Sequence, residues 1–284
     1  MIPWMGNGFT IDAAGTGLRV TADDHGLEKA IADRYAAFPF AGRPDLEVHV
    51  TTRPVPDSEE LDRLGVQHTL NRADRLYLRD RTFCGVLHPD GRPGSIQVAE
   101  SDPVTAFGLS FRHLFTRLAV DNGWTFVHAA GILRDHRAYL FAGPSGAGKS
   151  TIAGMLDPLP VIHDDQLFLH VGDQGPCIRA VPFMGNSAFV HDRTGCWPVE
   201  AVHFLRQDTS AFLVPMAPAM ALARILAVPL DGLGAEPTDA FMETVRIGME
   251  RCRELVQASR CSELHFTLSE LPEGITRPDG EGTS

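Results

Sequence analysis

The chain has 284 residues, 44% of them hydrophobic and 21% charged, and a formal net charge of −11. That length suits one large or two modest domains with a real core, and the composition is ordinary for a soluble globular protein. So acidic a balance argues against a non-specific nucleic-acid binder, which needs a basic face. The five cysteines (Cys84, Cys177, Cys196, Cys252, Cys261) are odd in number and include no C-x-x-C pair. They read as free thiols of a reducing cytosol. The N-terminus lacks the basic-then-apolar pattern of a signal peptide. The apolar stretch 211–230 contains Arg224 and three prolines, so it reads as a strand end, a linker and a core helix rather than a membrane span. The expectation is a cytoplasmic protein that touches neither membrane nor nucleic acid.

Residues 1–100 are rich in short β signals and are expected to form an N-terminal α+β domain. Phe9-Thr10-Ile11 and Leu18-Arg19-Val20-Thr21 flank a Gly-containing turn and predict a hairpin. Residues 25–37 predict a helix with Leu27, Ala30, Ile31 and Tyr35 on one stripe, and residues 46–50 alternate like a half-buried strand. Further strands are expected at 76–78, 82–87 and 95–98, the last two joined by the turn-prone segment 88–94. No metal-ligand spacing or nucleophile constellation occurs in this half. Shaping a substrate, forming a homo-oligomer and plain support all stay open as its role.

A second domain is expected over 101–276, followed by a disordered tail at 277–284. Asp102-Pro103 is a helix-starting pair, and the helix runs to residue 121 with Phe107, Phe111, Leu114, Phe115 and Leu118 on one face. Asn122-Gly123 ends it. Residues 124–133 predict one apolar strand carrying His128, with a charged turn at 134–137. Tyr139-Leu140-Phe141 then forms a short apolar run suited to a buried parallel strand.

Next comes GPSGAGKS, residues 143–150, which fits G-x-x-x-x-G-K-[ST] at every fixed position. Gly143, Gly146 and Gly148 let the backbone turn tightly and approach phosphate oxygens. The N–H groups of Pro144's successors Ser145, Gly146, Ala147 and Gly148, and on into Lys149, Ser150 and Thr151, are expected to line an anion-binding concavity at a helix start. Lys149 would reach the β- and γ-phosphates of ATP, and the Ser150 hydroxyl would sit on Mg²⁺.

Pro158 stops the following helix. Residues 161–169 then place Asp164 and Asp165 after an apolar strand start, where a Walker-B acid stands. Two adjacent carboxylates suit two jobs: orienting a metal or its water, and taking a proton from an attacking hydroxyl. Beyond lie an expected strand at 177–183 and a polar-aromatic loop at 184–198, of the kind that often carries substrate contacts. That loop contains Arg193, which reads as a surface ion-pair partner or a charge-stabilising guanidinium. A strand at 201–205, helices at 218–228 and 238–259, and a strand at 264–268 complete the expectation.

The pattern of His128-Ala-Ala-Gly131, a short turn, GPSGAGKS and Asp164-Asp165 resembles the HPr kinase/phosphorylase family over roughly residues 124–185. The resemblance implies an α/β fold built on a P-loop core of the HPr-kinase and phosphoenolpyruvate-carboxykinase type, a mixed sheet with flanking helices. It implies that Asp164 and Asp165 share metal contact and general-base duty toward a serine hydroxyl, with Ser150 and Asp165 as metal ligands, and that His128 tunes the pair. The family's downstream glycine-rich segment, which supplies an arginine, has no match in this sequence. The chain is therefore more similar to the divergent HPr-kinase-related group of peptide-maturation systems, some of which phosphorylate a serine on a precursor peptide. The leading expectation is an ATP/Mg²⁺-dependent serine kinase acting on a peptide or small protein. An ATP-gated peptide-binding module with little transfer, and a small-metabolite kinase, are the alternatives.

Overall fold

A computed structural model describes residues 8–13, 15–54, 70–72, 75–79, 82–88, 92–182, 195–227 and 239–276. The fold is α/β, with two mixed sheets and five helices among the described residues. It divides into two compact units, residues 1–122 with 231–241, and residues 123–230 with 242–284.

The first unit holds strands β1 (Phe9–Ala13), β2 (Thr16–Ala22), β3 (Leu46–Arg53), β4 (Leu70–Arg72), β5 (Arg75–Arg79), β6 (Phe83–Leu87) and β7 (Gly94–Ala99), in the sheet order β1-β2-β3-β7-β6-β5-β4. The predicted hairpin is β1–β2, with Ile11 opposite Leu18. Along β7, Gly94, Ile96 and Val98 are buried while Ser95 and Gln97 are exposed, the two-residue alternation of a one-sided sheet. Helix α1 (His25–Tyr35) starts where the Asp24 carboxylate accepts the Leu27 N–H at 2.7 Å, a side-chain cap.

Helix α2 (Pro103–Asp121) also belongs to this unit, so the boundary falls after it and not before it, as the sequence had suggested. The reason is aromatic packing: the Tyr35 ring meets Phe107 and Phe111 edge-on, with centroids 5.9 and 4.9 Å apart. The side chains of Leu114, Phe115 and Leu118 lie outside the described ones.

The second unit holds β8 (Thr125–Val127), β9 (Ala129–Arg134), β10 (Arg137–Ala142), β11 (Val161–His163), β12 (Leu167–Gly172), β13 (Gly175–Ala180), β14 (Trp197–Gln207), β15 (Phe212–Pro215) and β16 (Arg260–Phe266). Its helices are α3 (Lys149–Met155), α4 (Pro218–Leu226) and most of α5 (Asp239–Ala258). The expected single strand over 124–133 is two strands. β8 pairs with β12, whereas β9 pairs with β10 and β11, so the chain changes neighbours at His128. β16 starts at Arg260, ahead of the expected residue 264, because it pairs along β14 from Ala201 onward.

Strand direction decides where chemistry can gather. β10 and β16 run parallel to β14, and β9 runs antiparallel to both β10 and β11. The carboxyl ends of β10, β11, β14 and β16 therefore share one edge, where open α/β sheets hold ligands. On one face, α3 buries Ile152 and Ala153 against Ala130, Ile132, Tyr139, Phe141, Leu205 and Phe266.

The thiol expectation needs one correction. Cys177 and Cys196 form a disulfide, with Cα atoms 5.8 Å apart. The register of β13 on β14 sets Cys177 opposite Pro198, which brings Cys196 within reach. Cys84, Cys252 and Cys261 are free, and burial pushes the Cys252 and Cys261 thiols up to about 11, which leaves little reactive thiolate. No described helix is long and apolar enough to cross a membrane. Most of the loop expected at 184–198, including Arg193, part of the turn at 88–94, and the tail at 277–284 lie outside the described residues.

Buried His203 ties β14 to β16 and to the C-terminal segment. Its Nε2 donates to the Ile275 carbonyl at 2.9 Å, and its Nδ1 accepts from the Ser262 hydroxyl at 2.7 Å. Burial takes its pKa down to about 4; the Ile275 hydrogen bond opposes this and the Arg260 charge adds to it. The unfolded chain, with an ordinary histidine near 6.5, binds more protons between those two values. Stability should thus be complete above pH 6.5 and fall by about 3 kcal/mol as the pH drops to 4. Urea unfolding of wild type and His203→Gln across that range checks this, since the variant should lack that part of the slope.

Candidate functional site

β10 delivers its buried end, Phe141 and Ala142, to Gly143, and the chain turns back through Pro144, Ser145, Gly146 and Ala147 to Gly148, where α3 begins. Gly146 and Gly148 have φ of +80° and +103°, a region that side chains with a Cβ rarely enter. Space makes the same demand at two positions. A Cβ on Gly143 would stand 2.7 Å from the Ala147 Cβ, and one on Gly148 2.7 Å from the Phe266 Cζ. Pro144, Ser145 and Gly146 face solvent, and Thr151 is half-buried on α3.

Lys149 is 7% exposed and folds back over the loop. Its Nζ donates to the Gly143 and Pro144 carbonyls at 2.9 and 3.2 Å and lies 3.7 Å from Asp165 Oδ1. Ser150 Oγ donates to Asp164 Oδ2 at 3.3 Å. His128, at the junction of β8 and β9, places Nε2 3.0 Å from Asp165 Oδ1, at ion-pair distance but out of line for a hydrogen bond of good geometry. The strands thus bring His128, Lys149, Ser150, Asp164 and Asp165 together. Sequence separation hides this, because β9 lies between β10 and β11 in the sheet.

The two acids divide. Asp164 is 1% exposed and faces Ser150, whereas the Asp165 side chain is 43% exposed and faces Lys149 and His128. The sequence reading grouped Ser150 with Asp165 as metal ligands; the geometry groups Ser150 with Asp164. His128 is the first cause holding the Asp165 carboxyl below the usual carboxylate range; burial opposes it, and the Lys149 charge reinforces it. Burial pulls the Lys149 ammonium below the ordinary lysine range, and Asp165 and Asp164 work against that.

No model of a known protein family matches the chain, and no curated protein matches it.

His163 escaped the sequence reading. It is 3% exposed, and its Nδ1 accepts the backbone N–H groups of Asp165 and Gln166 at 3.1 and 3.2 Å. Two donors aimed at one nitrogen fix Nδ1 as the unprotonated one. The ring therefore shapes the turn that presents both acids. Its one signal in the sequence is a histidine placed directly before the acid pair. His163→Ala orphans both amides and should cost about 1–3 kcal/mol for each that stays dry, read as a lower denaturation midpoint.

The fit to a divalent cation is carried by Asp164. Among the described residues its Oδ1 is buried without a hydrogen-bond partner, and the nearest ionisable nitrogen among them, His163 Nδ1, is 3.8 Å away. A buried carboxylate oxygen left so is costly. A hard cation held by one carboxylate, one hydroxyl and phosphate oxygens would satisfy it, the usual manner of Mg²⁺. Among the described residues no cluster of three or more His, Cys, Asp or Glu side chains is placed to hold a metal by itself.

Proposed function

We propose that this chain is an ATP- and Mg²⁺-dependent kinase that transfers the γ-phosphoryl group to a serine hydroxyl of a peptide or small protein. In this reading the second unit is a P-loop core of the HPr-kinase and phosphoenolpyruvate-carboxykinase type. The observation that carries it is the 3.7 Å approach of Lys149 Nζ to Asp165 Oδ1, with Ser150 and Asp164 paired beside them. A phosphate on the glycine-rich loop would meet the lysine, and a hydroxyl approaching that phosphate would meet Asp165.

Ser150 and Asp164 would hold Mg²⁺, which would supply neutralisation of charge on the phosphates. Lys149 exchanges the Gly143 and Pro144 carbonyls for phosphate oxygens. The serine oxygen forms its bond to the γ-phosphorus as the bond from that phosphorus to the β–γ bridging oxygen breaks, and ADP leaves. The serine proton passes to Asp165. A carboxylate held below its usual pKa is a weak base, so this proton moves late, as the new O–P bond acidifies the hydroxyl. Before that, Asp165 mainly orients the nucleophile, and His128 holds Asp165. Dependence on ATP places the work in the cytoplasm, where the Cys177–Cys196 bridge would be unusual.

Incubation with γ-labelled ATP and serine peptides, followed by mass spectrometry, tests this reading. Phosphoserine on an acceptor supports it; ATP hydrolysed to free phosphate with every acceptor refutes it.

A further inference from the structure

The geometry points to Gln207 as a further nucleotide-contacting residue, whose side-chain amide donates to a phosphate oxygen held by the glycine-rich loop; this rests on the ATP reading above. β14 lies parallel to β10 with Phe204 opposite Ala142, so its last residues run alongside the loop that follows Ala142. Leu205 comes first, its Cβ 3.6 Å from where a Cβ on Gly143 would stand. Strand alternation returns Gln207 to the same face, and its Nε2 lies 3.7 Å from the Cβ position of Gly148. The side chain is exposed, and among the described residues its amide has no hydrogen-bond partner. It thus stands at the mouth of the loop with its donors free.

The backbone beneath Gln207 is fixed on both sides. Phe266, opposite it in register, is fully buried with its ring against Gly148. The Asp208 N–H donates to the Phe266 carbonyl at 2.9 Å, and the Asp208 carboxylate takes His265 Nδ1 at 2.7 Å. His265 Nε2 meets Glu263 at 2.8 Å, and Glu263 in turn pairs with Arg224 and Arg206. Both His265 nitrogens are spent on carboxylates, so this network clamps the ends of β14 and β16 and leaves the reaching to Gln207. A neutral amide suits the place, because it can donate to phosphate without competing for the Asp165 carboxylate that Lys149 faces.

Calorimetric titration with MgATP at low salt tests the inference on wild type, Gln207→Ala and Gln207→Glu, with Lys149→Ala as the reference for a lost cradle. Gln207→Ala should weaken binding about tenfold, the usual loss for a hydrogen bond to a charged group. Gln207→Glu sets a carboxylate against phosphate and should weaken it further, by an amount that shrinks as salt rises. Thermal midpoints without nucleotide should match wild type. Wild-type affinity in both variants overturns the role of Gln207 while leaving the ATP reading intact. A wild type that fails to bind MgATP overturns that reading and this inference together.

Discussion

Asp165→Asn should slow phosphoryl transfer by about 10²–10⁴-fold, the range supplied by a positioned general base. The replacement keeps the volume and one acceptor oxygen, but it cannot take the serine proton and gives up the charge that faces Lys149 and His128. MgATP affinity should stay within a few-fold of wild type, because Asp164, which faces Ser150, is untouched. Asp164→Asn should behave differently and raise the Mg²⁺ requirement. Single-turnover rates at saturating MgATP separate the two. The pH profile carries the same signature: with Asp165 held below the usual carboxylate range, the rate should persist as pH falls through that range and drop only beneath it. A loss centred at the ordinary aspartate value would contradict the role given to His128.

Gly148→Ala should damage both the fold and nucleotide binding. The residue sits at φ +103°, where a Cβ costs about 1–2 kcal/mol. That Cβ would also stand 2.7 Å from the Phe266 ring, an overlap worth about 1–3 kcal/mol more. Phe266 is fully buried in the core beneath α3, so the ring has no free space to retreat into and the loop must move. Chemical denaturation should show the sum of both costs, and MgATP binding should fall below detection by calorimetry. Gly146→Ala is the contrast: its φ is +80° but nothing lies within 4 Å of the added Cβ, so only the backbone cost applies. Equal stabilities for the two variants would show that Phe266 does not brace the loop.

The parts of this site that were legible in the sequence are those in which local chemistry dictates residue type. A backbone that turns through positive φ demands glycine at 146 and 148, and adjacent acids after a short apolar strand are visible in one dimension. The division of labour between Asp164 and Asp165 was not visible. It depends on which carboxylate the turn aims at Ser150, and that turn is shaped by two amide bonds to His163. His128 was legible as a candidate, but its place was not. The residues around it are mostly apolar and read as one strand, while the break comes from β8 and β9 having different partners. The Cys177–Cys196 bridge and the side of the boundary on which α2 falls are likewise set by contacts between residues distant in sequence. Gln207 carries no motif at all; only the parallel pairing of β14 with β10 brings it beside the loop.

A crystal structure with Mg²⁺ and a non-hydrolysable ATP analogue tests the central claim most directly. The account predicts the γ-phosphate between Lys149 Nζ and the Asp165 carboxylate, the metal on Ser150 and Asp164, and the outer side of that phosphate open to a serine. An analogue bound elsewhere, or a γ-phosphate on the loop with both carboxylates turned away from it, would contradict transfer chemistry at this site.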